Sequence, residues 1–537
     1  MTFKSIAEFL DPKNGHRPTS AERDLIAKTR TGEPCRCWKG KEPSRPDGPS
    51  DDTTIRAALL RLLIIGGTKD CGLHERGVWL EGGWIKGELV LSFCAGRGAA
   101  VLAYCHFTDR PNLTQTTLPQ LSLANSAFPG LLAQGAQIKG NLNLREVISK
   151  FTVDLRGANI RGGFDCTRAQ LEGGPNRDGA RNRALNAQGM NVEQSLILRE
   201  VSTTGTVDVS STRIGGQLSC IRARFDGDGK TAFDAQRMRV TNSFYFRKIA
   251  RLRGLVTLTA AHVGNLADDS CSWPDGRNSI NLNGLTYDLI TGTGPITFSA
   301  RSGWLKVGSH WKEEFRPQPY TQLAMVLRQM GHAGEARKVL MERERLLAVH
   351  RLESDRKDFR AAYDGGVMTK GDSGKIWLRM RGAQFWAWLT GRIAGYGYAP
   401  QRALYCALVC IGVSFFAYML FWQLGAMVPT DAVILTSVEW QSAFDLDSLR
   451  PALVWADPSR SGPATSHYET YYSLAYAFDV FLPIVDLGQQ STWGQTTVTW
   501  AGWSARIYTW LLQAAGYVIT SLGLAAATGI IQRNQPD

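Results

Sequence analysis

The sequence predicts a mainly β solenoid, a parallel β-helix closed by capping helices, joined to a C-terminal two-span α-helical membrane anchor. Three observations carry this expectation. A unit of about 22 residues recurs between about residue 75 and residue 300. Helical apolar spacing brackets that region on both sides. Residues 403–428 and 507–531 contain no Asp, Glu, Lys or Arg.

Residues 1–73 read as a polar segment with capping helices. Thr19 and Glu22 have the spacing of a capping box, which predicts a short helix through about Thr29. From Thr54, the run TIRAALLRLLIIGG is apolar and helical in spacing. Such a run can cover the first coil, whose sheet edge is otherwise open to pairing. The opening MTFKSIAEFLDPKNG has no basic start, apolar core and small-residue cleavage site. The N-terminal domain is therefore expected to stay on the side of the membrane where it is made.

Residues 74–310 form the predicted repeat domain. Aligned on central β-branched residues (Ile85, Ile138, Ile160, Val192, Ile214, Val240 and Val263), the units share apolar pairs on both sides. Val153 with Leu155 and Val207 with Val209 precede their anchors, whereas Leu142 with Leu144 and Phe164 with Cys166 follow them. Strict alternation in short runs broken by Gly or turn residues means short strands. Units of this length stack as coils that bury their inward rows on one another, here roughly nine to eleven of them. The segment EGGPNRDGARNRA, between the anchors Ile160 and Val192, reads as a loop projecting from one coil, and the pattern frays at Val263.

Residues 311–365 are predicted as a helical hairpin cap. Tyr320, Leu323, Ala324 and Leu327 keep helical spacing until Gly331, and a second helix starts near Ala333. LAMVLRQMGHAGEA resembles one tetratricopeptide unit, but a single unit forms no groove, so capping is its expected role. Residues 366–402 are a basic juxtamembrane segment carrying Lys375, Arg379, Arg381, Arg392 and Arg402.

The two uncharged stretches, 403–428 and 507–531, each exceed the roughly 20 residues that cross a bilayer core. Between them, residues 429–506 carry eight acidic residues against Arg450, Arg460 and Arg506. Lys and Arg gather on the cytoplasmic side of spans. The bias predicts a multi-pass protein of the bacterial inner (cytoplasmic) membrane, with the large N-terminal domain and the 532–537 tail in the cytoplasm. Residues 429–506 become an extracytoplasmic loop. Net charge is +13 for the 537 residues. The basic groups are spread out, without a dense cluster or interleaved aromatics, so nucleic acid is not among the expected partners.

Candidate chemistry is sparse, and no catalytic, cofactor-binding or metal-binding residue is assigned. Gly96 and Gly98 in LVLSFCAGRGAAVLAY lack the third small residue, the following helix and the distant acidic residue of a dinucleotide site. Cys35 and Cys37 form a lone C-x-C without a second pair. Asp154, Asn186, Asp208 and Asp234 recur six positions before their anchors, a place expected to face solvent. Asp479 and Asp486, in YYSLAYAFDVFLPIVDLGQQSTW, are the candidate functional residues, because a charge beside lipid is costly and tends to mark function. The plainer expectation for that segment is an interfacial helix with both carboxylates at the water boundary.

Gly-Ala-Asn-Ile at 157–160 resembles a unit of the pentapeptide-repeat proteins. Across nearly its whole length the chain is similar to a family of uncharacterised bacterial membrane proteins with degenerate, pentapeptide-like β-helix repeats. The resemblance lies in SAERDLIAKTRTGE, IRAALLRLLIIGG, YTQLAMVLRQMGHAGEARKVL, GRIAGYGYAPQRAL and FDVFLPIVDLGQQSTW. Some relatives are labelled membrane-associated oxidoreductase, so the resemblance implies a membrane-associated enzyme as one option. The residues themselves favour a membrane-anchored scaffold or interaction protein. Its expected partners are the lipid bilayer and an unidentified protein, with self-association as an option. The alternative is an oxidoreductase, or an enzyme of saccharide or lipid-linked substrates, using the solenoid face.

Overall fold

Short alternating runs fold here as stacked strands. The computed structural model describes the chain except residues 1–4, 12–16, 39, 41, 67–71, 176–182, 292–294, 313, 365–369, 458, 460–461 and 529–537. For residues 358–359, 361–364, 370–377 and 464 only the backbone is described. The chain divides into two units, residues 1–339 and 340–537.

The first unit is a parallel β-solenoid of about nine turns. A typical turn contributes four short strands, two to each of two parallel sheets. In one column Leu118, Ile138, Ile160, Val192, Ile214 and Val240 stand in direct register, all buried. The next column runs Leu121, Leu142, Phe164, Leu196, Leu218 and Phe244. Each inward residue thus packs on its equivalents one coil away. Around Phe225, Phe233, Phe244 and Phe246 this core becomes aromatic, with ring centroids 5.3 to 6.5 Å apart.

The two sheets are joined by corners in the left-handed region. Tyr104, Asn125, Glu146, Arg168, Glu200, Arg222 and Lys248 have φ of 54 to 59° and occupy one corner. The other corner holds Gln115, Ser211, Arg237 and Ala260 in the same conformation, with Gly at several turns. A side chain in this region costs roughly 1–2 kcal/mol. Stacking offsets the strain, since the corner amide of each coil bonds a carbonyl of the next: Glu146 N to Thr167 O (2.9 Å), Arg168 N to Arg199 O (2.9 Å).

These corners also explain a correction. Ile85 was aligned with Ile138 and Ile160, but it pairs with Ile55 and Phe107 in the opposite sheet. Strand, strand and left-handed corner recur twice per turn, so half a coil looks like a coil and the first unit was matched half a turn out of phase. The fraying at Val263 is a register shift: Leu266, three residues on, takes the place that Phe244 holds four residues after Val240. The column continues to Tyr287.

Domain limits shift at both ends. Strands begin before residue 74, with Cys35–Arg36 and Thr54–Arg56, so the predicted helical run starts only at Ala57 and spans Ala57–Ile65. Within the predicted repeat domain, Phe298–Gly308 is a helix. Where the hairpin cap is expected, Gln318–Gln329 and Ala333–Asp364 are helices, and Lys370–Ala394 is a helix in the basic segment. Both solenoid ends are closed by ion pairs with a fully buried carboxylate. At the start, helix Ser20–Thr31 has the Thr19–Glu22 capping box, and the fully buried Glu22 accepts bonds from Arg56 N, Nε and one terminal nitrogen at 2.8–2.9 Å. At the finish, Asp268 and Arg301 pair, and the Gln318 and Gln322 amides donate to the Leu285 and Tyr287 carbonyls (3.0 and 2.7 Å).

The second unit holds two helices long and apolar enough to cross a membrane, Pro400–Gln423 and Trp500–Ala527. In their most apolar stretches only 17% and 22% of residues are buried, unlike the core helix of a water-soluble protein. Their limits differ from 403–428 and 507–531. After Leu424 the chain leaves the helix, and Met427–Pro429 pairs antiparallel with Trp493–Gln495. The second helix starts seven residues earlier than expected, capped by Thr499, and takes Arg506 into its first turns. Residues 529–531 and the 532–537 tail lie outside the described residues.

Candidate functional site

The segment carrying Asp479 and Asp486 runs beside the two long apolar helices. Ser473–Phe481 is a helix because SLAYAFDVF puts Tyr476, Ala477, Val480 and Phe481 on one buried face, and Pro483 prevents its continuation. That face packs against both long helices. Tyr471 stacks on Trp422 (4.5 Å), and Tyr476 meets Tyr418 edge-on (4.8 Å). The Phe481 carbonyl lies so close to Gly516 that a Cβ there would stand 2.1 Å from its oxygen. Gln495 Nε2 donates to Tyr476 Oη (2.8 Å) and Thr509 Oγ1 (3.0 Å), and Tyr418 Oη also bonds Thr509 Oγ1 (2.9 Å).

After a turn at Leu482–Val485 the chain comes back along the helix. Asp479 is 6% exposed, and its two carboxylate oxygens accept from Leu487 N (2.8 Å) and Gln490 N (2.7 Å). Higher up, Gln489 Oε1 accepts from Tyr472 N (3.0 Å), while its Nε2 donates to Thr470 O (3.0 Å). Asp479 therefore positions the return limb. Asp486 accepts from Gly488 N (2.8 Å) and is otherwise exposed. The two carboxylates were expected together at a water boundary; one is enclosed and the other faces outward.

In the solenoid, the column Asp154, Asn186, Asp208 and Asp234 is in register, but not solvated as expected. Asp154, Asn186 and Asp208 are 6%, 5% and 2% exposed. Long side chains from the outer surface cover them. Arg156 and Gln134 lie on Asp154 (2.9 and 2.7 Å), and Arg183 lies on Asp208 (2.7 Å). Asn186 Oδ1 has no hydrogen-bond partner among the described residues. Burial, with the Asp208 charge adding to it, raises the Asp234 carboxyl above its ordinary range.

The remaining motifs have packing roles. Gly98 lies against the Gly77 backbone, where a Cβ would stand 2.5 Å from Gly77 Cα, and Gly96 faces Leu118. Both are spacing residues between coils. Cys35 is buried and its thiol donates to Asp24 Oδ2 (3.3 Å); the hydrogen bond with Cys37 and burial hold it protonated. No cluster of metal-ligating side chains occurs among the described residues.

Sequence reading overlooked the charged corner. Glu146, Arg168, Glu200 and Arg222 stack in alternation, with ion pairs Arg168–Glu146 and Arg222–Glu200. Open grooves of about 430 and 750 Å³ flank this edge, lined among others by Arg45, Gln170, Ser202 and Arg224. Its signal was present: each paired Arg follows its Glu by 22 residues, one coil. Compared with known proteins, the chain matches no family model, no curated protein and no solved structure.

Proposed function

We propose that this protein is a scaffold fixed to a bacterial inner membrane by two spans, with its solenoid in the cytoplasm presenting a long edge to partners. The observation that carries this reading is the stacked Glu146–Arg168–Glu200–Arg222 corner with its flanking grooves. A rigid array that repeats charge at one-coil intervals suits an extended partner, either an acidic protein surface or anionic lipid. Toward its later coils the edge gains Arg224, Arg247, Lys248, Arg251 and Arg253 against few acids, which favours a negative partner. The cytoplasmic placement rests on the Lys/Arg bias before the first span and on the acid-rich segment between the spans.

The test uses the full chain in nanodiscs of neutral lipid. Vesicles rich in phosphatidylglycerol should be captured, and Arg222→Glu with Arg224→Glu should lower capture at least tenfold. In cells, a photo-crosslinker at Ser202 should give discrete adducts. Absence of both sinks the scaffold reading.

A second reading has one observation of its own. Asp208, paired with Arg183, stands one strand spacing (about 4.8 Å) from Asp234, whose carboxyl is raised. Two neighbouring carboxyls are the residue types that sugar-cleaving enzymes use as acid and base. Hydrolysis of a saccharide panel, abolished by Asp208→Asn, would establish it; no turnover would remove it.

A further inference from the structure

The two spans supply a depth scale for everything packed between them. They run antiparallel, with Gly523 against Ala403, Thr509 bonded to Tyr418, and Ala501 and Ala505 in one cluster with Phe421. Interpolating between the first two contacts sets Gly516 level with Cys410 and Ile411. At 1.5 Å per residue that level is about 12 Å from Ala403 and about 18 Å from Gln423. The helix Ser473–Phe481 starts beside Trp422 and ends at Gly516. Beyond it, Leu482, Pro483 and Ile484 line a groove of about 700 Å³ with Pro400, Ala403 and Leu404. The segment between the spans therefore enters the apolar layer from the Gln423 end, turns near the Ala403 end, and returns.

Non-helical backbone at such depth persists only where protein covers it or water reaches it. Ile484 is 89% exposed, and Val485, Asp486 and Leu487 on the return limb are also exposed. Asp486 follows the turn and lies near the level of Phe481, within the middle of the spans. A carboxylate facing hydrocarbon there costs about 3 kcal/mol even on the mildest scale. A single copy leaves this limb facing lipid, so its surroundings must come from elsewhere.

We propose that several copies of this chain associate with their re-entrant hairpins facing one another, so that the Asp486 carboxylates line a shared water-filled path for monovalent cations. A ring of carboxylates attracts cations and excludes anions. Asp479 is the positioning residue: its bonds to Leu487 N and Gln490 N fix the limb that carries Asp486. The path is incomplete in one copy, and it is independent of what the solenoid binds; it rests on the two helices crossing a bilayer.

The test reconstitutes the full chain in liposomes and measures thallium influx with an enclosed dye, alongside reversal potential in a KCl gradient. Wild type should pass thallium and select cations. Asp486→Asn, whose amide oxygen can still accept from Gly488 N, should lower influx at least tenfold and move the reversal potential toward zero; Asp431→Asn, outside the hairpin, should leave both unchanged. Ile484→Cys should form disulfides between copies under mild oxidation. Protein that resists carbonate extraction, yet gives neither influx nor such disulfides, overturns the proposal and leaves the anchor standing. Influx unaltered in Asp486→Asn also overturns it. Extraction by carbonate would remove the membrane reading itself.

Discussion

Asp268 and Arg301 meet in a two-pronged ion pair, Arg301 donating to Asp268 Oδ1 and Oδ2 at 2.7 and 2.5 Å with both side chains essentially buried. Asp268 ends a strand of the last coils, whereas Arg301 belongs to the helix that closes them. Trp273 Nε1 also donates to Asp268 (2.7 Å), and the Trp304 ring lies 5.0 Å from the guanidinium. The pair ties cap to coil, as Glu22 and Arg56 do at the other end.

Removing one partner of such a pair leaves an uncompensated buried charge. Arg301→Met should cost about 3–5 kcal/mol, read as faster hydrogen exchange across residues 280–290. Adding Asp268→Leu should recover most of that loss. Equal exchange in the single variant and wild type would show that the cap does not depend on the pair.

Phe233 is fully buried among Phe225, Phe244 and Phe246. Phe233→Ala should destabilise the solenoid by about 3–5 kcal/mol. Phe151, 45% exposed, should tolerate Ala within about 0.5 kcal/mol. Urea denaturation followed by far-UV circular dichroism separates the two.

Asp234 links stability to pH. Its folded value is raised, chiefly by burial, above the unfolded value near 3.9. Its contribution is present below that unfolded value and is lost as pH rises through the folded one. Asp234→Asn should therefore raise Tm at pH 7, and the gap should close as pH falls below about 4. A gap that widened on acidification would contradict the assignment.

Gly516 admits no side chain, because the Phe481 carbonyl occupies the place of a Cβ. Gly516→Ala should cost about 1–3 kcal/mol and raise hydrogen exchange in residues 476–481 of the detergent-solubilised protein. Gly412, with open space around it, should accept Ala without either effect.

Much of this fold was legible because burial and sequence period coincide. Leu142, Phe164 and Leu196 recur at coil spacing and stack where that spacing puts them. Ile85 was misplaced because each turn contains two similar halves. The helix Phe298–Gly308 escaped notice because FSARSGWLKVG mixes Gly, Ser and charges, and its buried Arg301 reads as a surface residue. Asp154 and Asp208 looked solvated because alternation gives the direction of a side chain, not what covers it. For Asp479 and Asp486, the sequence showed an apolar segment broken by Pro483 but not what that segment packs against. A nine-residue apolar helix fits a water boundary as well as a place beside two long helices, and the Tyr476–Tyr418 and Phe481–Gly516 contacts distinguish them.

The half-turn likeness that misaligned Ile85 has a consequence for length. Each turn lifts the chain by one strand spacing, about 4.8 Å, so about nine turns separate the two caps by roughly 43 Å. Excising residues 139–160 would subtract one increment and keep every column in phase. Excising half as many would exchange the two sheets beyond the cut, setting one corner's residues over the other's. The solenoid is thus a spacer adjustable only in whole steps, and the reach of any surface it carries is quantised with it.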